Sequence, residues 1–147
     1  MPCKTEILIS VKPQYFDLMV AGQKTVELRR RAMRVPIGTR VWIYATLPSG
    51  CVGAVGEVSH VHEIPPRAIW NRFADRAGIS KQAFYEYFDG SNLGYAIVFQ
   101  RIVPLNRAIL LDDLRRQVGS FHPPQFYKRL DPAGKELALL RVAAPAW

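Results

Sequence analysis

Gly22-Gln-Lys-Thr-Val-Glu-Leu-Arg-Arg-Arg31 decides how the rest of the chain reads. Glycine commonly stands just past a helix C-terminus, so Gly22 predicts a helix before it. A short strand follows, with Val26 and Leu28 on one face and Thr25, Glu27 and Arg29 on the other. Charge on one face of an otherwise apolar strand has two readings. Edge strands carry charge to discourage pairing with other chains. Alternatively, Lys24, Glu27 and Arg29 line a polar cleft, and Arg30 and Arg31, continuing toward Arg34, extend it as a basic lip.

Upstream, residues 6–12 alternate as a strand, Ile7, Ile9 and Val11 against Leu8, Ser10 and Lys12. Pro13 suits the first position of a helix over 13–21, which buries Tyr15 or Phe16, Met19 and Val20. Downstream, Pro36-Ile-Gly38 makes a turn and residues 40–46 form the clearest strand, Val41, Ile43 and Ala45 alternating with Trp42, Tyr44 and Thr46. Residues 51–63 continue as a long strand whose Gly53 and Gly56 mark a bulge or barrel corner. Past Pro65-Pro66, helical spacing places Ile69, Trp70, Phe73 and Ala77 together over 67–77. Ser80 then caps a helix whose Phe84, Tyr87 and Phe88 read as packing. A strand spans 94–102, and Pro104 predicts an edge position or a break. A short helix at 111–117, an irregular aromatic stretch and a helix over 132–141 capped by Asp131 complete the chain.

The order of these elements lacks the regular alternation of a doubly wound fold. It predicts an α+β architecture, a mixed and mainly antiparallel β-barrel with inserted and peripheral helices. The expected organisation is a single domain over 1–147, with a core of about 6–103 and a C-terminal extension of about 104–147.

Lys and Arg total 20 against 12 acidic residues in 147, a formal charge of +8, which favours polyanionic partners. The two cysteines, Cys3 and Cys51, have no metal-binding spacing and read as reduced intracellular thiols. Residues 1–20 show no leader pattern, and no apolar run approaches the roughly 18 residues of a membrane span. The expectation is a cytoplasmic protein with no membrane partner. His60 and His62 with Glu63 make half a metal site at most, and His122 in the Pro-rich loop reads as solvated. No Ser-His-Asp arrangement, phosphate-cradling glycine loop or zinc signature occurs, so no metal or other cofactor is expected.

If the first three strands are neighbours, their non-core faces gather Ser10 and Lys12, then Thr25, Glu27 and Arg29, then Trp42, Tyr44 and Thr46. Cations neutralise phosphate, flat rings stack on bases, and hydroxyls and carboxylates read base edges. In that reading Lys24 and Arg29 meet phosphate or a base edge, and Glu27 orients them. Tyr44 or Trp42 stacks, while Arg30, Arg31 and Arg34 add salt-sensitive affinity. The Lys24–Glu27 pair is also a candidate for acid–base work, a lysine of lowered pKa beside a carboxylate, and His122 is a weaker one as a general acid.

Leu8-Ile-Ser-Val-Lys-Pro13, the Gly-x-Lys-x-x-Glu-x-Arg pattern of residues 22–29 and Val41-Trp-Ile-Tyr-Ala-Thr46 resemble the ASCH domain family. The resemblance covers 6 to about 103 and implies a PUA-like β-barrel with a cleft for RNA or a modified nucleotide. Lys24, Glu27 and Arg29 fall directly on the family motif. A small bacterial branch that hydrolyses acetylcytidine shares the lysine, but its threonine nucleophile is Glu27 here, and a carboxylate does not replace that hydroxyl. The function expected is a nucleic-acid-binding domain. The alternative is a small metal-independent hydrolase, ribonuclease or nucleoside amidohydrolase, using Lys24 and Glu27.

Overall fold

Unbroken apolar runs such as Val41-Trp-Ile-Tyr-Ala45 are what a strand buried on both faces requires. In a computed structural model, which describes residues 5–146, these runs build one curled six-stranded sheet, a half-barrel. Its strands are β1 (Glu6–Val11), β2 (Val26–Arg29), β3 (Arg40–Ala45), β4 (Cys51–Ile64), β5 (Gly94–Leu110) and β6 (Tyr127–Arg129). They hydrogen-bond in the order β2-β5-β4-β3-β1-β6. β1 and β3 run parallel, and the remaining pairings are antiparallel. Five helices surround them: α1 (Pro13–Val20), α2 (Pro66–Phe73), α3 (Lys81–Tyr87), α4 (Leu111–Val118) and α5 (Lys135–Ala143). The mixed, mainly antiparallel barrel-like architecture expected from the sequence is the one observed.

Both faces of the sheet are covered. On the inner face Ile7, Ile9, Val41, Ile43, Ala54, Val58, Ile97 and Phe99 form one core, closed by Met19 and Phe16 of α1. On the outer face Leu8, Trp42, Tyr44 and Val55 lie beneath Leu114 of α4 and Leu137 and Leu140 of α5. Farther along that face Val26, Leu28, Ala96 and Val98 lie beneath Ile69 and Phe73 of α2 and Phe84 of α3. At about 25 cal/mol per Å² of apolar surface, these three clusters supply the main driving force for folding. The polar face expected to run across the first three strands as neighbours is not formed in that way: β5 and β4 separate β2 from β3 and β1, and Trp42 and Tyr44 of β3 are covered.

The C-terminal segment is integral to the sheet. β6, which the sequence did not reveal, pairs with β1 through Leu8 opposite Lys128. Glu6, buried in β1, accepts a hydrogen bond from Trp42 Nε1 at 3.1 Å and another from Arg141 Nη2 of α5 at 2.5 Å. A buried carboxylate is tolerable here because both oxygens have partners.

Several boundaries differ from expectation for local reasons. β5 continues past Pro104 to Leu110, because β2 flanks it only over Tyr95–Val98. At Pro104 the strand has a neighbour on one side only, and the missing N–H is tolerated there. Val20 is 39% exposed, since α1 ends on the rim of the half-barrel. α2 stops at Phe73, although Ala77 beyond it is still buried. Asp131 caps a turn by accepting from Ala133 N, and α5 begins later, after Gly134. Cys3 lies outside the described residues, and Cys51 is a half-buried thiol without a disulfide partner among those described.

Gly53 sits at a register shift in β4, where a Cβ would lie 2.5 Å from the tip of the Phe16 ring. The missing side chain lets α1 press onto the sheet. Gly53→Ala is expected to destabilise the fold by about 1–3 kcal/mol, read from the urea midpoint. Adding Phe16→Leu should recover part of that loss, and a Gly53→Ala protein of unchanged midpoint would refute the contact.

Candidate functional site

The segment that opened the reading is held from both sides. Just past α1, Gly22 has a φ of 80° that lets the chain reverse, and the N–H groups of Gln23 and Lys24 both donate to Leu18 O. That reversal turns Lys24 inward, leaving it 2% exposed. Its Nζ donates to Ala77 O at 2.5 Å, lies 3.8 Å from Glu27 Oε1, and stands 5.2 Å from the centre of the Tyr15 ring. Gly78 makes this possible. It has a φ of +62°, and a Cβ there would come within 2.9 Å of Lys24 Cβ. Burial lowers the Lys24 pKa from its ordinary 10.5; Glu27 opposes that shift and Arg29 adds to it.

Glu27 and Arg29 alternate with Val26 and Leu28, so they face the inside of the half-barrel opposite Ile97 and Tyr95. Glu27 Oε2 accepts from Arg29 Nη2 at 2.7 Å, and Oε1 accepts from Leu28 N at 3.1 Å. Arg29 Nη2 also donates to Ser10 O at 3.0 Å, and Nη1 to Phe126 O at 3.3 Å. β2 and β6 are the two ends of the strand order, and β1 adjoins β6. One guanidinium therefore bridges the open seam of the sheet. Its Nε is buried without a hydrogen-bond partner among the described residues.

Over this cluster lies a cleft of about 610 Å³, walled by Lys12, Lys24, Glu27, Arg29, Tyr87 and Gln125, with Ser10 and Glu86 also on its lining. A cleft of that volume is in the range that holds small ligands. Beside it a hollow of about 280 Å³ is lined by Arg29, Arg30, Arg31, Tyr87, Gln125 and Phe126. The structure thus brings Ser10, Lys12, Lys24, Glu27 and Arg29 to one cleft and Arg30 and Arg31 to its neighbour. Ser10 is spoken for in part, since its Oγ donates to Pro124 O at 2.7 Å. Arg30 donates to Ser91 Oγ and Asp89 O, both uncharged partners.

Trp42 and Tyr44 are corrections. They are 0% and 2% exposed on the outer face beneath the C-terminal helices, so neither offers a stacking surface to this cleft. Thr46, just past β3, is not among the residues lining either hollow. Arg34 pairs with Glu63 at 2.6 Å and is not among the residues lining either hollow. His60 and His62 stack on one another, and among the described residues no three His, Cys, Asp or Glu side chains could hold a metal ion. No helix among the described residues is long and apolar enough to cross a membrane.

Sequence reasoning missed Tyr87. It belongs to the stripe read as packing, yet it is 39% exposed, and its hydroxyl donates to Leu28 O at 3.4 Å and accepts from Arg30 N at 3.2 Å. Burial raises its pKa, so the phenol stays protonated at neutral pH. Gln125 had no local signal at all; only the return of the chain to β1 brings it here.

Residues 9–101 match the model of the ASCH domain. An ASCH domain-containing ribonuclease of Zymomonas mobilis is 33% identical over 125 residues, 85% of this chain and 84% of that protein. The crystal structure of ASCH from Zymomonas mobilis has a TM-score of 0.87 at 30% identity, covering 95% of this chain and 96% of that one. A serine-to-alanine mutant of the same protein also scores 0.87, at 31% identity over 97% and 98% of the two chains.

Replacing Arg29 removes the bridge across the seam and leaves Glu27 short of its closest cation. Arg29→Met is expected to cost roughly 3–5 kcal/mol in urea denaturation. Arg29→Lys should restore little, because a single ammonium cannot span Glu27, Ser10 O and Phe126 O together. A stability within about 1 kcal/mol of the parent would show that the seam does not depend on the guanidinium.

Proposed function

The chain belongs to the ASCH domain family, and from that premise we propose that the cleft over Lys24, Glu27 and Arg29 binds RNA, one nucleotide at a time. The observation that carries this reading is a concave site in which three cations, Lys12, Lys24 and Arg29, surround a buried carboxylate beside a second hollow rich in arginine. Single-stranded RNA suits it, because unstacked nucleotides present base edges, a 2′-hydroxyl and phosphate to such a mixed surface. The roles then differ from residue to residue. Arg29 is engaged with Glu27 and two carbonyls, so it shapes the wall. Exposed Lys12 and Arg31 supply phosphate affinity.

Strand cleavage is the second reading, supported by the relative named a ribonuclease. RNA cleaves when its 2′-oxygen attacks the adjacent phosphorus and the bond to the 5′-oxygen breaks, leaving a 2′,3′-cyclic phosphate and a 5′-hydroxyl. Lys24, its pKa lowered by burial, is the group suited to take the 2′ proton, and solvent can return one to the 5′-oxygen. Glu27 positions the amine, while Lys12, Arg30 and Arg31 offset charge on the phosphorane. Deacylation of an acylated cytidine is less well supported, since the Glu27 carboxylate is tied to Arg29 and is no substitute for a hydroxyl nucleophile.

Fluorescence anisotropy with a labelled single-stranded RNA tests binding. Arg31→Ala is expected to weaken it about tenfold and to reduce the slope of log affinity against log salt by about one. Equal affinity and slope would remove the exposed arginine from the interface. For cleavage, the proton-accepting amine must be neutral, so the rate should rise with pH and level off above the Lys24 pKa, below 10.5. Lys24→Met should abolish that limb while RNA is still bound. Residual cleavage with the same pH profile would exclude Lys24 as the base.

A further inference from the structure

The two hollows share Arg29, Tyr87 and Gln125 but differ in charge. The larger one carries two carboxylates, Glu27 and Glu86, among its cations. The smaller one is lined by three successive arginines and no carboxylate, and at about 280 Å³ it lies below the usual volume of a small-molecule site. Within it the charge of Arg29 is balanced by Glu27 at 2.7 Å, whereas Arg30 donates only to uncharged oxygens and Arg31 is exposed. Between the hollows stands the Tyr87 hydroxyl, which holds Leu28 O on one side and Arg30 N on the other. A donor left over at this junction is Arg29 Nε, buried and without a partner among the described residues.

We propose that the site is divided: the nucleoside part of a nucleotide occupies the larger cleft, and its phosphate occupies the arginine-lined hollow. This deepens the RNA-binding reading and rests on it. Carboxylates accept from the N–H groups of bases and the hydroxyls of ribose, and Glu86 also repels phosphate, since the charge of Glu27 is already balanced by Arg29; the larger cleft therefore favours the uncharged portion. Arginines without a carboxylate partner do the reverse, and their planar N–H groups match phosphate oxygens. A single phosphate fits the smaller volume; a nucleoside does not need it. The division makes phosphorylation of the ligand, and not the base alone, the condition for tight binding.

NMR titration of the whole protein with the four common ribonucleosides, and with their 3′- and 5′-monophosphates, tests the division. At least one monophosphate is expected to bind tenfold or more tightly than its parent nucleoside, shifting the amides of Arg30, Arg31 and Phe126 in addition to those around Lys24. Arg31→Ala should lower monophosphate affinity at least five times more than nucleoside affinity. Equal binding of nucleosides and monophosphates, or an equal loss of both in Arg31→Ala, overturns the division. So does RNA binding with neither monomer bound. Failure to bind RNA as well would overturn the RNA reading itself, which keeps the two conclusions separable.

Discussion

The structure depends on one guanidinium placed across the gap where the half-barrel fails to close. Arg29 belongs to the strand at one end of the sheet, yet its donors reach carbonyls of Ser10 and Phe126 at the other end. Backbone hydrogen bonds cannot do this work, because β2 and β6 are not adjacent in the ladder. A side chain with a rigid fork of donors can, provided its charge is balanced, and Glu27 two residues earlier balances it. The mouth that remains open beside this bridge is the cleft. Structural and functional demands thus converge on the same pair, and Arg29 is better described as the frame of the site than as a contact to ligand.

Lys24 shows the other half of this arrangement. An ammonium at 2% exposure is costly unless paired, and the segment after α2 brings Ala77 O to it while Gly78 clears the space. α2 and α3 therefore serve the site indirectly, by carrying that carbonyl and Tyr87 to the rim of a half-barrel built from other strands.

Much of this was legible in the sequence, and the exceptions have physical causes. Period-two alternation located β1, β3 and β4, Ser80 announced α3, and Gly53 marked its bulge. The Gly-x-Lys-x-x-Glu-x-Arg spacing pointed to the cluster because a helix end followed by a strand turns Lys24, Glu27 and Arg29 to one side. Trp42 and Tyr44 misled because alternation reveals two faces without saying what covers each. Here the covering helices come from residues beyond 110, and the aromatic rings are core. β6 was invisible for a related reason. Three residues, Tyr127–Arg129, are too few to show a period, and their pairing with β1 is set by tertiary structure.

The long-range tie between Glu6 and Arg141 bears on how the protein is made. The first strand receives its β6 neighbour and its ion pair from residues more than a hundred positions later, with Leu130 N donating to Glu6 O and Arg141 reaching the Glu6 carboxylate. A ribosome delivers these partners long after the strand they complete. Until α5 has left the exit tunnel, Leu8 and Trp42 lack their cover and the buried carboxylate lacks its cation. Closure of this face therefore waits on residues far along the chain, and before they are in place the first strands carry an uncovered apolar surface of the kind that favours association.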